Sequence, residues 1–289
     1  MTRIPSIIAT LATGPALKDL ELLLASLSIF NANPPTVYLF CDSSISDALS
    51  TIRYSGPLVH KVCLDQYSKR SRLEMEMTQG RQFKNMWFDF MTEKINLLRW
   101  VFESVPEAEK AGVMFCDADI CFTAPLPEIP DGVRLALSPH YIRERDEAKY
   151  GHYNGGYLWM LDVRSAEIWW NACPGARFYE QSALEDLATK VKEENGSDAV
   201  YEFPMTENYG WWRMWQGPER PDVRLKEWDY TRKLGITVGG KRLGSVHTHF
   251  QEKNDPATTT FNGYVLEYLR ILEASNPEAK RLLAAIRKI

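Results

Sequence analysis

Asp117 and Asp119 stand one residue apart, directly after the apolar run Val113-Met114-Phe115-Cys116. Such a run reads as a buried strand, and alternate residues of an extended segment point the same way. The spacing therefore predicts two carboxylates converging just beyond the end of a strand. In an open α/β sheet that is the crevice where ligands bind. Two close carboxylates repel unless a cation sits between them. A hard divalent ion suits oxygen donors, and a diphosphate is its natural companion. Late in the chain, His247 and His249 lie two apart within the stretch Leu243 to Phe250, which reads as a strand. That spacing puts both imidazoles on one face, as further metal ligands or as hydrogen-bonded strand residues.

Other residues can carry charge or shape to such a centre. Lys69, Arg70 and Arg72 form the densest basic run, and Lys94 sits in a confident helical pattern just before the aspartate strand. The segment Asn208-Tyr209-Gly210-Trp211-Trp212-Arg213-Met214-Trp215 concentrates three of the nine tryptophans. Flat apolar rings suit a sugar face, and they suit a protein core equally well.

The elements that must position these residues follow from periodicity. Ser6 to Thr10, Thr36 to Cys41, Leu58 to Leu64 and Val113 to Cys116 read as strands, so the aspartates follow about the fourth. Pro15 to Phe30, Ile45 to Ile52 and Thr92 to Glu103 read as helices between them. This β-α-β-α order predicts a mostly parallel twisted sheet with helices on both faces. The second half is less regular. Val133 to Leu137 and Gly156 to Leu161 read as strands, Ala166 to Asn171 opens a helix, and Ser182 to Val191 is another. Asn276 caps a last helix with Pro277 at its first position.

The 289 residues, 45% hydrophobic and 25% charged, fit a soluble α/β protein with a sizeable core. A net charge of -4 argues against nucleic acid as the main partner. The five cysteines contain no Cys-x-x-Cys pair and read as reduced core thiols, not a zinc site. No uncharged apolar run reaches ~18 residues, so no membrane span is expected. With no signal peptide legible at the N-terminus, the expected compartment is the cytoplasm. One catalytic domain over residues 1–255 is expected, with 256–289 as a helical extension packed on it.

Taken in order, these features resemble a known group. A β-α-β nucleotide-binding half leads to the Asp-x-Asp strand, then Tyr153-Asn154-Gly155-Gly156-Tyr157-Leu158, then Glu180-Gln181, then a late histidine. This is similar to the GT-A-fold glycosyltransferases, nearest to the glycogenin and lipopolysaccharide galactosyltransferase type, over roughly residues 5 to 250. The resemblance implies the nucleotide-diphospho-sugar transferase fold, followed here by C-terminal helices. It implies a metal-dependent, retaining transfer of a sugar from a UDP-sugar to a carbohydrate, lipid-linked or protein acceptor, with Mn²⁺ or Mg²⁺ as cofactor.

Residue by residue, the resemblance makes Asp119 the direct metal ligand and Asp117 a contact to metal or ribose. His249, followed by Phe250, matches the late metal-binding histidine, with His247 an open alternative. Lys94 matches a basic position near the nucleotide-sugar; apart from the resemblance, Arg70 or Arg72 would add fixed positive charge at the leaving diphosphate. Thr10, Leu11 and Ala12 would lie along uracil and ribose, beside Ala118. Asn154, Gly155 and Gly156 match a strand-entry turn next to the donor sugar, and Glu180 and Gln181 match the acidic-Gln pair beneath it. Two departures stand out. The pair is commonly Asp-Gln, and the His-Phe pair is usually trailed by a Gly and a Lys-Pro-Trp-like turn. Here Gln251-Glu252-Lys253 follows, so Lys253 would substitute as the phosphate contact.

Two other functions compete. A haloacid-dehalogenase-like phosphohydrolase also places Asp-x-Asp after an apolar strand. That family wants Thr or Val two residues after the second Asp, where this chain has Cys121, and usually carries the motif near its N-terminus. A nucleotide-sugar-binding module without turnover would retain the same residues.

Overall fold

The computed structural model describes residues 2–250 and 255–289. Its centre is a seven-stranded sheet. In chain order the strands are β1 (Ile7–Ala12), β2 (Thr36–Cys41), β3 (Leu58–Val62), β4 (Val113–Cys116), β6 (Leu135–Pro139), β7 (Tyr153–Met160) and β8 (Val200–Glu202). A short strand β5 (Ile120–Phe122) leaves this sheet for a smaller one. The spatial order is β8-β6-β7-β4-β1-β2-β3. Only β7 runs against the rest, antiparallel to both β4 and β6. The mostly parallel α/β architecture expected from the sequence is therefore the observed one.

Parallel strands covered on both faces must be apolar on both faces, which explains their unbroken hydrophobic runs. In β4, Val113 and Phe115 pack on one side of the sheet and Met114 and Cys116 on the other. In β7, Leu158 and Met160 face the first side, while Tyr157 and Trp159 face the second. Helix α1 (Leu17–Phe30) buries Leu20, Leu23, Leu24 and Leu27 against that second side. After the short helices α2 (Ser43–Ala48) and α3 (Arg72–Met77), helix α4 (Met86–Ser104) buries Ile95, Leu98 and Val101 on the first.

Helix α4 begins six residues before the predicted Thr92. Asn85 caps it by accepting from the Phe88 N–H. The aromatic run Met86 to Met91 hid this first turn and a half. Asp89, buried in the same turn, accepts the backbone N–H of Phe83 at 2.8 Å and those of Arg81 and Gln82 besides. This clamp ties the preceding loop to the helix. Ahead of that loop, helix α3 (Arg72–Met77) opens on a full capping box, with Ser71 and Glu74 satisfying each other's backbone N–H groups. The Ser-x-x-Glu signature of this box overlaps the basic run Lys69 to Arg72 in the sequence.

The second half departs more from expectation. The late strand is only Ser245–His247 (β10), not Leu243 to Phe250. It pairs antiparallel with β5 and parallel with β9 (Tyr209–Gly210), forming a separate three-stranded sheet. Two C-terminal helices, Pro256–Glu273 and Pro277–Ile286, share a core with that sheet and with Leu22 of α1. Asn276 caps the last helix, accepting from the Ala279 N–H at 2.8 Å. Among the described residues no helix is long and apolar enough to cross a membrane.

Candidate active site

The chain leaves β4 at Cys116, turns through Asp117-Ala118-Asp119 and enters β5 at Ile120. Two backbone bonds fix this turn, Asp117 N–H to the Gly156 carbonyl (2.8 Å) and Ile120 N–H to the Asp117 carbonyl (3.1 Å). The aspartates therefore sit on a turn between two strands, not on one extended segment, and both face the same cavity. Register places His247 opposite Ile120, next to Asp119. Thr248 N–H then bonds the Asp119 carbonyl at 3.0 Å, which carries the pairing one step past the strand and brings His249 to the same carboxylate.

Three side chains meet there. His247 Nε2 lies 3.0 Å from Asp119 Oδ1, and His249 Nδ1 lies 2.9 Å from Asp119 Oδ2. All three donor atoms fall within 4.8 Å of one another. Burial would raise the Asp119 carboxyl, but the two imidazoles outweigh it and hold it well below the usual carboxylate range. The charge of Asp119 lifts His249 to about 9, against the opposing effect of burial. Oδ1 of Asp119 is buried without a directed hydrogen-bond donor among the described residues. One carboxylate and two imidazoles, with an orphaned carboxylate oxygen among them, are the donor chemistry of a divalent transition-metal site.

Asp117 belongs to a second cluster. Its Oδ1 lies 3.6 Å from Lys94 Nζ. Lys94 is buried at 1% exposure and pairs at 2.9 Å with Glu180, itself 1% exposed. Lys94 also donates to the Gly155 carbonyl at 3.1 Å. Burial would strip the lysine of its proton, but Asp117 and Glu180 together keep it charged. Gln181 accepts from the Gly155 N–H at 3.1 Å and donates to the Tyr150 carbonyl at 2.9 Å.

Gly155 and Gly156 lie within strand β7, not in a turn at its entry. The register against β6 jumps from Leu137↔Leu158 to Ser138↔Asn154, so the glycines bulge out of the pairing. A Cβ on Gly156 would stand 2.3 Å from Asp117 Oδ2 and 2.9 Å from His247 Cε1. Only a glycine lets the backbone pass between those two side chains.

Both clusters open onto a cavity of about 660 Å³. Its polar wall carries Asp117, Ala118, Asp119, Lys94 and both histidines, with Leu11 and Ala12 at the end of β1. Arg70 and Arg72 face it from the loop and first turn of α3. Thr10, Asn154, Glu180 and Gln181 do not line it. Thr10 is fully buried, and Asn154 accepts the Gly156 N–H at 3.0 Å from behind. Lys253 lies outside the described residues. The tryptophan cluster is packing: Trp212 lies edge-on against His247, with centroids 5.0 Å apart, and Trp211 and Trp215 sit against the C-terminal core.

Some cavity residues escaped the sequence reading. Asp19, in the first turn of α1, faces Asp119 and His249, and burial followed by the Asp119 charge raises it to about 7. Its leucine-rich helix masks it in the sequence, and the signal it offers is an acid in the first turn of the helix that follows β1. Opposite lies an apolar wall of Tyr67, Met75, Trp87, Phe90 and Met91, with the Arg72 guanidinium 5.0 Å over the Trp87 ring. These residues came together only through the capped turns of α3 and α4.

His140 stands behind the glycines with 6% exposure. Burial lowers it from 6.5 to about 4, only partly opposed by its bond to the Gly151 carbonyl. The unfolded chain then binds a proton that the folded chain refuses, so stability falls as pH drops from 6.5 toward 4. The loss from this group amounts to about 3 kcal/mol. Urea unfolding across that range should show a shallower slope in His140→Gln than in the wild type. Equal slopes would remove His140 from the account of acid sensitivity.

The fold is similar to that of solved glycosyltransferase structures. Two solved structures of the glycosyltransferase GlyE from Streptococcus pneumoniae align over 99% of this chain, one of them in the apo form. Their TM-scores are 0.52 and 0.51 at 14% and 13% identity, and the chain spans 64% of their length. The apo structure of mouse xyloside xylosyltransferase 1 aligns with 86% of this chain and 99% of its own, at 9% identity and a TM-score of 0.46. No protein-family model matches the sequence, and no curated protein matches it.

Proposed function

We propose that this protein is a metal-dependent glycosyltransferase that takes its sugar from a nucleoside-diphosphate donor, UDP-linked, within the glycogenin and lipopolysaccharide galactosyltransferase type. The observation that carries the reading is the Asp119–His247–His249 cluster opening onto the same cavity as Lys94, Arg70 and Arg72. A cation site beside fixed positive charge is what a diphosphate requires.

Asp119 and an imidazole would hold the ion, Mn²⁺ in preference to Mg²⁺ because nitrogen is among the donors. When bound, the metal supplies Lewis acidity to the diphosphate as the sugar C1–O bond breaks. Lys94 adds a positive charge that costs no reorganisation, since Glu180 and the Gly155 carbonyl already fix its ammonium. Arg70 and Arg72 extend that charge along the cavity wall. Leu11 and Ala12 offer a flat surface for the base and ribose. Glu180 and Gln181 do not reach the cavity, and in this reading they act through Lys94 and the Gly155 backbone, beneath the donor sugar. The retaining outcome stays part of the proposal, and NMR of the product's anomeric configuration tests it. Acceptors of carbohydrate, lipid-linked or protein chemistry are all open to assay.

A thermal-shift panel of nucleoside diphosphates, each with and without Mn²⁺, tests the reading. UDP should stabilise the protein only with metal present, by about 2.7 kcal/mol at 100 times Kd. An equal shift without metal would overturn it. UDP-sugar hydrolysis with Mn²⁺ separates an enzyme from a binding module, and phosphate release from a simple phosphomonoester would point to the phosphohydrolase instead.

A further inference from the structure

The polar groups behind the site form a chain whose direction is set at both ends by backbone. The Gly151 carbonyl can only accept, so His140 Nδ1, 2.8 Å away, carries the hydrogen. The neutral ring then presents Nε2 as an acceptor, and Asn154 Nδ2 points at it from 3.4 Å. Asn154 must therefore turn its Oδ1 the other way. That oxygen accepts the Gly156 N–H at 3.0 Å, a second backbone group of fixed polarity, and the Asn208 Nδ2 at 3.1 Å. Asn208 Nδ2 also reaches Ser138 Oγ at 3.0 Å, and its Oδ1 faces His247 Nδ1 at 3.0 Å. His247 Nδ1 thus carries the hydrogen, and in the neutral ring, the form that can ligate a metal, Nε2 presents a lone pair toward Asp119 Oδ1.

Two acceptors 3.0 Å apart repel, and this is the oxygen that lacks a directed donor. A cation between them removes the conflict. Asn208 is held hard in this role. It adopts a left-handed φ of 52°, its N–H bonds Ser245 Oγ at 2.8 Å, and the buried Arg213 grips the carbonyls of Glu207 (2.7 Å) and Pro139 (2.9 Å) beside it.

We infer that His247 is a second imidazole ligand of the metal, with Asn208, Asn154 and His140 as positioning residues that fix its tautomer, so that the centre binds a divalent transition metal before any nucleotide arrives. The inference rests on the metal-dependent reading and deepens it. A preformed set of one carboxylate and two nitrogens needs no phosphate oxygen to complete its grip, and it disfavours Mg²⁺, which demands oxygen and water.

The test is titration of the full-length protein with MnCl₂, CoCl₂ and MgCl₂ in the absence of nucleotide, followed by pulsed EPR of the Mn²⁺ form. Mn²⁺ should bind alone, at least ~10-fold more tightly than Mg²⁺, and show nitrogen couplings from two imidazoles. His247→Ala should leave one coupling. Asn208→Asp keeps the acceptor but removes the donor, and should weaken Mn²⁺ binding by roughly 10–100-fold with both couplings retained. A single coupling in the wild-type protein overturns the inference even if a variant fails to fold. So does Mn²⁺ uptake only in the presence of UDP, a result that would leave the transferase reading intact. Metal binding without any UDP response would do the reverse.

Discussion

Under the proposed transferase reading, Asp119→Ala is expected to lose metal-dependent turnover of a UDP-sugar by at least ~10³-fold, the scale of several kcal/mol of charge stabilisation. Asp119 is the one carboxylate that both imidazoles approach, at 3.0 and 2.9 Å. Without it no oxygen donor remains in the three-residue cluster, and the Mn²⁺-dependent UDP shift should vanish with the activity. Its side chain lies in a turn between strands, and the backbone bonds Thr248 N–H to Asp119 carbonyl and Ile120 N–H to Asp117 carbonyl do not involve it. The far-ultraviolet circular dichroism should therefore match the wild type. Asp119→Asn keeps the shape and loses the charge, and should fall nearly as far. Retention of a tenth of the turnover in either variant would place the metal elsewhere.

Lys94→Met is expected to destabilise the fold by about 3–5 kcal/mol, because it strands a buried carboxylate. Glu180 is 1% exposed and has its only ion-pair partner, among the described residues, in Lys94. Asp117 loses its neighbour at 3.6 Å in the same step. The double replacement Lys94→Met with Glu180→Leu should recover most of that loss, since an apolar pair of similar volume avoids the burial of charge altogether. Urea midpoints of the single and double variants, at constant m-value, measure this directly. Recovery of stability without recovery of UDP binding would separate the lysine's role in the site from its role in the fold. A single variant within about 1 kcal/mol of the wild type would show that the buried pair carries no such weight.

Much of the first half was legible in one dimension. Strand β2 spans the predicted Thr36–Cys41, and β1 and β4 fall within two residues of expectation. The reason is local: strands buried on both faces have no polar alternation to confuse, and turn signals bound them. The last helix was equally legible, because its Asn-Pro cap acts through neighbours in sequence. Predicted boundaries failed where a distant contact set them. The strand around His247 is short because its partner, Ile120–Phe122, is only three residues long, and that partner lies far back along the chain. The Asn154-Gly155-Gly156 segment was read as a turn because glycines usually mark one. It is a bulged strand because two side-chain clusters must pass on either side of it.

By itself, the sequence determined the residue types of the site and the α/β layering that presents them. A motif of two acids after an apolar strand, two late histidines and a helical lysine are chemical facts independent of their positions in space. The tertiary structure decided how they divide. Asp119 approaches both histidines, and Asp117 reaches Lys94 with one oxygen while facing the same cavity. It also buried Lys94 and Glu180 as a pair, moved the tryptophans into packing, and brought Asp19 and Asn208 to the centre. Those outcomes depend on sheet register and on crossovers between segments distant in the chain, which no local spacing encodes.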